Sequence, residues 1–567
     1  MSTNTSALWK QAIRTGLIGG AIVVLLALVG IIGTFKERDI ISGWISMGHV
    51  LFLAPILLIA YSAARHVESH SKLVILLVGA ISGLMSALVT AILPLFGQVV
   101  NLRAMFANAS PDLYKILTFG QGIPLGVIIL LLVGFLIGGL GASLLLLPLR
   151  ARKVLSQAVV WVILAGLLRE LIVVVISRWG VMAYIFRWMF AQNGLAPVGA
   201  IAIFVIIGAL TFWQSGKKRP APRDLPPHQK RKRTLVALGG AGIILIILPL
   251  VLGVYFSEIL DTVGLYILMG LGLNIVVGFA GLLDLGYVAF FAIGAYTVGI
   301  LTSPELGLFH LTYWQALPFA VMVAVLAGVV LGLPVLKMRG DYLAIVTLGF
   351  GEIIRILALS DWLKPWLGGS QGIQQIAHPW IGGLELRNQT QLYYLILVGI
   401  AIAGFIAWRL KDSRLGRSWM AVREDEDVAQ AMGINLVATK LLAFATGAFF
   451  AGLSGTIFAT KLTAAYPHSF SLFVSINALC LIIIGGMGSI PGVVVGSLVL
   501  MGSPELLREF AEYRYLVYGA LLVVMMLMKP EGLWPEARRR LELHEENELV
   551  PHEEPQPVLN NPGQLGG

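Results

Sequence analysis

Long apolar stretches recur along the whole chain, separated by short polar breaks. A transmembrane α-helix needs roughly 20 apolar residues to cross a hydrocarbon core about 30 Å thick. Barrel strands instead alternate apolar and polar positions over ~10 residues. The stretches here are of the helical kind, and a helix pairs its own backbone groups in lipid. Spans are predicted near 16–33, 42–62, 73–97, 122–148, 155–177 and 182–213. After a polar, proline-rich stretch, more follow near 234–256, 261–280, 283–302, 315–337, 341–359, 390–409, 437–460, 472–500 and 512–528. The pattern predicts an all-α, polytopic helical membrane protein of about 15 membrane segments, some broken or re-entrant.

Composition agrees. Of 567 residues, 57% are hydrophobic and only 12% charged, about half the charge of a soluble protein; mean hydropathy is +0.86. The net charge of +10 gathers at segment ends and in one linker, as cytoplasmic retention of Lys and Arg requires, so nucleic acid is not implied. The run from Gly16 to Ile32 meets no small-residue cleavage site before Lys36 and Arg38 and reads as a first spanning helix. Cys480 is the single cysteine, which excludes an intrachain disulfide.

The expected organisation is an N-terminal accessory membrane domain over 1–213, a basic Pro-rich cytoplasmic linker over 214–233, a working domain over 234–535 and a charged, disordered tail over 536–567. The basic linker either simply stays in water or binds lipid headgroups. Arg65, Arg150 and Lys217 all fall inside if the chain starts inside. Nine full crossings in the second block would export Arg538–Arg540. One segment is therefore re-entrant, or 472–500 is really two.

Three clusters carry the functional argument. In Leu271–Tyr296, Asn274 sits in an apolar run and needs a hydrogen-bond partner. Gly278, Gly281 and Gly286 then allow either close helix packing or an unwound segment whose free N–H groups face a substrate carboxylate. Asp284 lies either at mid-depth, where an ionised carboxylate is costly, or at an interface. In Lys337–Arg355, Asp341 caps a helix beginning near Tyr342, Thr347, Gly349 and Gly351 allow close packing, and Glu352 and Arg355 share a helix face. That pair is either an internal salt bridge or a border of the translocation path. The glycines Gly485, Gly486 and Gly488, with Pro491 and Gly492, mark a second break that lines a cavity or packs tightly.

The third cluster is polar. Arg414, Gly416 and Arg417 precede Arg423, Glu424 and Asp425, and a less polar side bearing Ala429 ends at Gly433. A solvated loop would explain the charges, but a compact helix between two spans fits a surface on which a water-soluble partner docks. The chain carries no phosphate-binding loop of the G-x-x-x-x-G-K-[ST] kind, no H-E-x-x-H and no paired Cys/His metal arrangement. No nucleophile and base can be grouped. The reading is a transport subunit with no metal and no cofactor of its own, driven by ATP used elsewhere.

At these residues the chain resembles the LivM-type permeases of bacterial branched-chain amino acid ABC transporters. The matching pieces are Leu271–Tyr296, Arg339–Arg355, Gly368–Ile373, Leu415–Gly433, Ile484–Ser489, Arg508–Arg514 and Lys529–Trp534, in family order over most of 255–540. Ser370-Gln371 stands where the commoner form has Pro-Asn. The resemblance implies a bacterial inner-membrane importer of leucine, isoleucine and valine. Its other parts would be a LivH-like permease, two cytoplasmic ATPase subunits and an extracytoplasmic amino-acid-binding protein. The broken helices and the charged insert nominate a substrate pathway near Asn274, Gly278, Gly281, Thr347, Gly349, Glu352, Gly485, Gly486 and Gly488, with ATPase coupling through the insert. Relatives in the same broad family carry urea and short amides. An ion-coupled secondary transporter, with Asp284 and Glu352 as ion sites, is the competing class.

Overall fold

The computed structural model describes residues 5–67, 71–178, 180–215, 227–335, 338, 340–506, 513, 516, 519–520, 523, 525, 527–529 and 531–535. The chain divides into two compact units, Met1–Ala237 and Leu238–Gly567.

In the first unit the helices are α1 (Thr5–Val29), α2 (Ile31–Thr34), α3 (Met47–Arg65), α4 (Lys72–Val99), α5 (Pro111–Leu117), α6 (Ile123–Leu146), α7 (Leu149–Leu167), α8 (Arg169–Ser177), α9 (Gly180–Phe186) and α10 (Pro197–Ser215). A small hairpin of β1 (Asp39–Ile41) and β2 (Ile45–Ser46) follows α2. α4 is the centre, packed by α1, α3 and α6. Lipid gives no hydrophobic reward for joining two apolar helices, so close approach of small residues must do it. Gly83 and Gly138 face one another across α4 and α6, and a Cβ on Gly83 would lie 2.8 Å from the Gly138 Cα. The buried Ser86 hydroxyl donates to the Gly16 carbonyl of α1 at 2.9 Å, tying a third helix to the same row.

α11 (Pro227–Leu252) leads into the second unit. Its first turns take up residues expected in the linker, and Pro is compatible with a helix at the first position. There follow α12 (Val254–Leu273), α13 (Val288–Thr302), α14 (Tyr313–Val335), α15 (Asp341–Leu359), α16 (Lys364–Leu367), α17 (Gln389–Lys411), α18 (Arg414–Glu424), α19 (Glu426–Ala431), α20 (Leu436–Leu462), α21 (Leu472–Gly485) and α22 (Ile490–Leu506). Between α12 and α13, Asn274–Phe279 forms a π-helical turn. Short strands close one end: β3 (Ile373–Gln374) pairs with β6 (Ala464–Ala465), and β4 (Trp380–Ile381) pairs with β5 (Leu384–Glu385). α12 is almost wholly buried, packed by α17, α20, α21 and α22, while α20 also holds α13 and α14.

The expected count of about 15 segments is high. Among the described residues ten helices are long and apolar enough to cross a membrane, or up to twelve if each of two bent pairs is one span. The predicted span 155–177 is bent by 70° between α7 and α8, and 182–213 resolves into α9, a 3₁₀ turn and α10. Within 283–302 only the 15 residues of α13 are helical, about 22 Å at 1.5 Å per residue and too short to cross. The 472–500 stretch is indeed two helices, turned by 119° at the glycines. Residues 512–528, the C-terminal tail and most of the basic linker fall largely or wholly outside the described residues.

The α4–α6 contact can be tested directly. Gly83→Val should destabilise the first unit by about 1–3 kcal/mol, the usual cost of overpacking. A Cβ on Gly139 meets only the Ala80 Cβ, at 4.0 Å, so Gly139→Ala should leave the thermal unfolding midpoint in detergent unchanged. Equal midpoints for the two variants would refute the packing argument.

Candidate functional site

The polar insert is a corner of two helices rather than a single one. Ser413 caps α18 by accepting from the Gly416 N–H at 3.2 Å. Gly416, Trp419 and Val422 bury one stripe of α18, and the Trp419 indole donates to the Thr439 carbonyl at the start of α20. The chain breaks at Asp425, whose carboxylate caps α19 through the N–H groups of Asp427 and Val428, both at 2.9 Å. α19 closes at Gly433, with the Ile434 N–H returning to the Ala429 carbonyl at 3.1 Å. Glu426 pairs with Lys440 at 2.7 Å, and the lysine side chain is only 3% exposed. The corner is thus fastened to α20 at Thr439 and Lys440.

Of the nominated residues here, Arg414, Arg417, Glu424, Asp425 and Gly433 are exposed and Ala429 is buried. Val428 and Met432, 79% exposed, give the tip an apolar knob. Arg423 turns inward. Its Nη1 donates to the Gly278 carbonyl at 2.8 Å, while Nη2 holds Glu424 at 2.8 Å. Gly278 lies in the π-helical turn, where the Ala280 N–H reaches back five residues to Ile275. Such a turn leaves carbonyls outside the ordinary helical ladder, and the guanidinium supplies a charged donor to one of them.

The other end of the same turn grips the second break. Asn274 is 1% exposed, and its Oδ1 accepts from the Gly488 N–H at 2.8 Å. Lys411, at the end of α17, reaches the Gly488 carbonyl at 3.4 Å and lies 5.8 Å above the Phe279 ring. A side chain at Gly278 would strike Asn274 and come within 2.7 Å of the Gly488 nitrogen. Gly281, at φ +72°, turns the chain where a Cβ would sit 2.5 Å from the Arg423 Cγ. Both demands, left-handed backbone and missing side chain, select glycine. Gly486, at φ +115°, receives residues 531–535: the Leu533 N–H donates to Ile484 at 2.8 Å and Trp534 to Gly485 at 2.9 Å.

A second polar seam runs along α15. The Thr347 hydroxyl accepts from the Leu285 N–H at 3.0 Å, and Asp284, fully buried, accepts from Gly286 at 2.9 Å. Ser475 of α21 caps α13 through Val288 at 2.9 Å. It is Gly351 that packs closely, its Cβ position 3.3 Å from the Gly286 Cα; a Cβ on Gly349 meets nothing within 4 Å. Asp341 is the first residue of α15 and makes no cap, because Gly340 holds the N-cap position; Arg339 lies outside the described residues. Glu352 and Arg355 pair at 2.7 Å on the side of α15 that leaves Ile345, Ile353 and Ile356 exposed.

The structure therefore brings together Asn274, Gly278, Gly281, Gly485, Gly486, Gly488 and Arg423, and sets Thr347, Gly349 and Glu352 apart on α15. Trp419, Lys411, Glu426–Lys440 and Ser475 were not foreseen. The Gly416–Trp419–Val422 spacing was a usable sign of a buried face inside a charged insert. The lysine and serine had none, since their partners are distant in sequence.

A helical bundle with two broken segments locked to a polar corner is the architecture of a polytopic membrane protein. The family model described as the branched-chain amino acid transport system permease component matches residues 255–526. The LivM permease of the high-affinity branched-chain amino acid transport system of Escherichia coli (strain K12) is 37% identical over 385 residues, 63% of this chain and 88% of the relative. Its counterpart in Salmonella typhimurium is 42% identical over 302 residues, covering 49% of this chain and 70% of the relative. The LivH permease of the high-affinity branched-chain amino acid transport system of Salmonella typhimurium is 24% identical, over 47% of this chain and 90% of the relative. No solved structure matches. The chain belongs to this family of permease components, and works with partner subunits.

The Asn274–Gly488 bond yields a stability test. Asn274→Leu strands a buried N–H and should cost about 1–3 kcal/mol, whereas Asn274→Asp keeps the acceptor. Thermal unfolding in detergent should separate the leucine variant from wild type, with aspartate nearer to it. A leucine variant as stable as the wild type would remove Asn274 from the joint.

Proposed function

We propose that this chain is the permease subunit of an ATP-driven importer for the branched-chain amino acids leucine, isoleucine and valine, in a bacterial inner membrane. It works beside a LivH-like permease, two cytoplasmic ATPase subunits and an extracytoplasmic amino-acid-binding protein. The cargo and the second permease rest on the similarity to LivM and LivH; the ATPases and the binding protein are part of the proposal. The observation that carries the mechanism is the hydrogen bond from Arg423 to the Gly278 carbonyl.

The α18–α19 corner is the docking surface for an ATPase. Its tip offers the apolar Val428 and Met432 beside Asp425 and Asp427. When ATP closes the ATPases, displacement of the corner is carried by Arg423 into the π-helical turn. Asn274 passes it to the glycine break at 486–489 between α21 and α22. No bond chemistry is required of the permease: the ATPase changes the relative stability of two arrangements of the bundle. The exposed face of α15, with Gly349 and the Glu352–Arg355 pair, is available to a second permease across the substrate path.

The test uses the assembled complex in proteoliposomes with radiolabelled leucine, isoleucine and valine. Uptake should require internal ATP and the binding protein. Arg423→Ala should lower uptake about tenfold or more, as expected for loss of a charged hydrogen bond worth roughly 1.5–3 kcal/mol, while ATP hydrolysis by the complex continues. Hydrolysis and uptake falling in parallel, with the complex intact, would reject Arg423 as the link. Uptake by this chain alone, driven by an ion gradient, would reject the whole reading.

A further inference from the structure

The first unit carries a cleft of about 350 Å³ between α8 and the chain from α9 onward. Its walls are apolar, with Val173 and Ile176 from α8 facing Phe186 and Phe190. Arg169 opens α8 and Arg187 follows α9, and both line the cleft. No acidic side chain lines the cleft among the described residues. The Arg169 Nε is buried and has no hydrogen-bond partner there.

Arg187 is exposed and Arg169 half-buried, so the cost falls on the Arg169 Nε, a buried donor left without an acceptor. A guanidinium in a membrane protein is tolerated when it has a carboxylate, a carbonyl or an anion to serve. Nearby, Arg38 shows the satisfied case: its Nη2 donates at 2.7 Å to the Leu167 carbonyl freed by the 70° bend between α7 and α8. The break is thus pinned from one side by Arg38, while Arg169, two residues further on, is turned to the cleft. Two planar forks match the oxygens of a phosphodiester, and the aromatic and aliphatic walls suit hydrocarbon.

We propose that the α8–α9 cleft is a binding site for an anionic phospholipid, its phosphate held by Arg169 and Arg187 and its acyl chain laid along Val173, Ile176, Phe186 and Phe190. The proposal stands independently of cargo and of coupling. It gives the first unit a task that no similarity to other proteins assigns: holding a lipid of defined charge.

The experiment takes the full-length chain, delipidated in detergent, and measures thermal stabilisation and retained lipid by native mass spectrometry. Three probes separate the sources: phosphatidylglycerol, phosphatidylcholine of the same chains, and inorganic phosphate. Phosphatidylglycerol should stabilise and stay bound at about tenfold lower concentration than phosphatidylcholine, and phosphate alone should do neither. Arg169→Gln with Arg187→Gln should abolish the difference between the two lipids. Ala183→Trp, which fills the cleft and keeps both cations, should weaken both lipids. Both variants are scored against their own lipid-free unfolding midpoints, so a folding defect is not read as lost binding. Equal binding of the two lipids by the wild type, full binding of phosphate alone, or unchanged preference in the double variant would each overturn the site.

Discussion

Hydrocarbon offers no water to a backbone that leaves the α-helix, so each interruption must bring its own donors and acceptors. The second unit is organised around that constraint. α12 loses its regular ladder at Asn274, and the π-helical turn that follows would expose carbonyls and amides in the interior. Arg423 answers one carbonyl from the polar corner, and Asn274 answers an amide of the second break. Neither break is self-sufficient. Each is satisfied by a group from elsewhere in the chain, and this interdependence joins the two breaks and the corner structurally.

Strength and direction differ between the two links. The Asn274 bond is buried and short, and leaving either partner alone would cost about 1–3 kcal/mol. The Arg423 side chain is 28% exposed and also shared with the more exposed Glu424, so water screens it and its geometry can change at lower cost. Under the proposed coupling, a rigid inner joint with a softer outer one lets the corner move first. The buried Glu426–Lys440 pair and the Trp419–Thr439 bond serve the other requirement: the corner turns with the head of α20 instead of fraying from it.

Much of this was legible in the chain. Helix-length apolar runs announced the bundle, and the glycine groups near 278–286 and 485–492 marked both breaks. The charged insert marked the polar corner of α18 and α19. What remained hidden was pairing. An amide in an apolar run must have a partner, yet nothing local says that Gly488, more than two hundred positions away, provides it. Arg423 looked like one charge among several in a solvated cluster, and only the fold shows it turned inward. The count of spans erred for a related reason. Hydropathy measures composition and not continuity, so a 70° bend at Leu168 or a 15-residue helix at α13 reads as a full crossing. Asp341 and Gly349 erred locally, because a neighbouring glycine took the cap and a neighbouring glycine took the contact.

The first unit meets the same constraint with different means. Its breaks lie between α7 and α8 and around α9, away from the glycine-lined α1–α4–α6 packing, and cations rather than amides attend them. Arg38 satisfies the carbonyl at the bend, which is enough to make the bend stable. It does not account for Arg169, whose Nε is buried beside that bend. A buried guanidinium N–H needs an acceptor, and among the described residues none bonds the Arg169 Nε. An acceptor from the surrounding bilayer meets that requirement with the groups already in place.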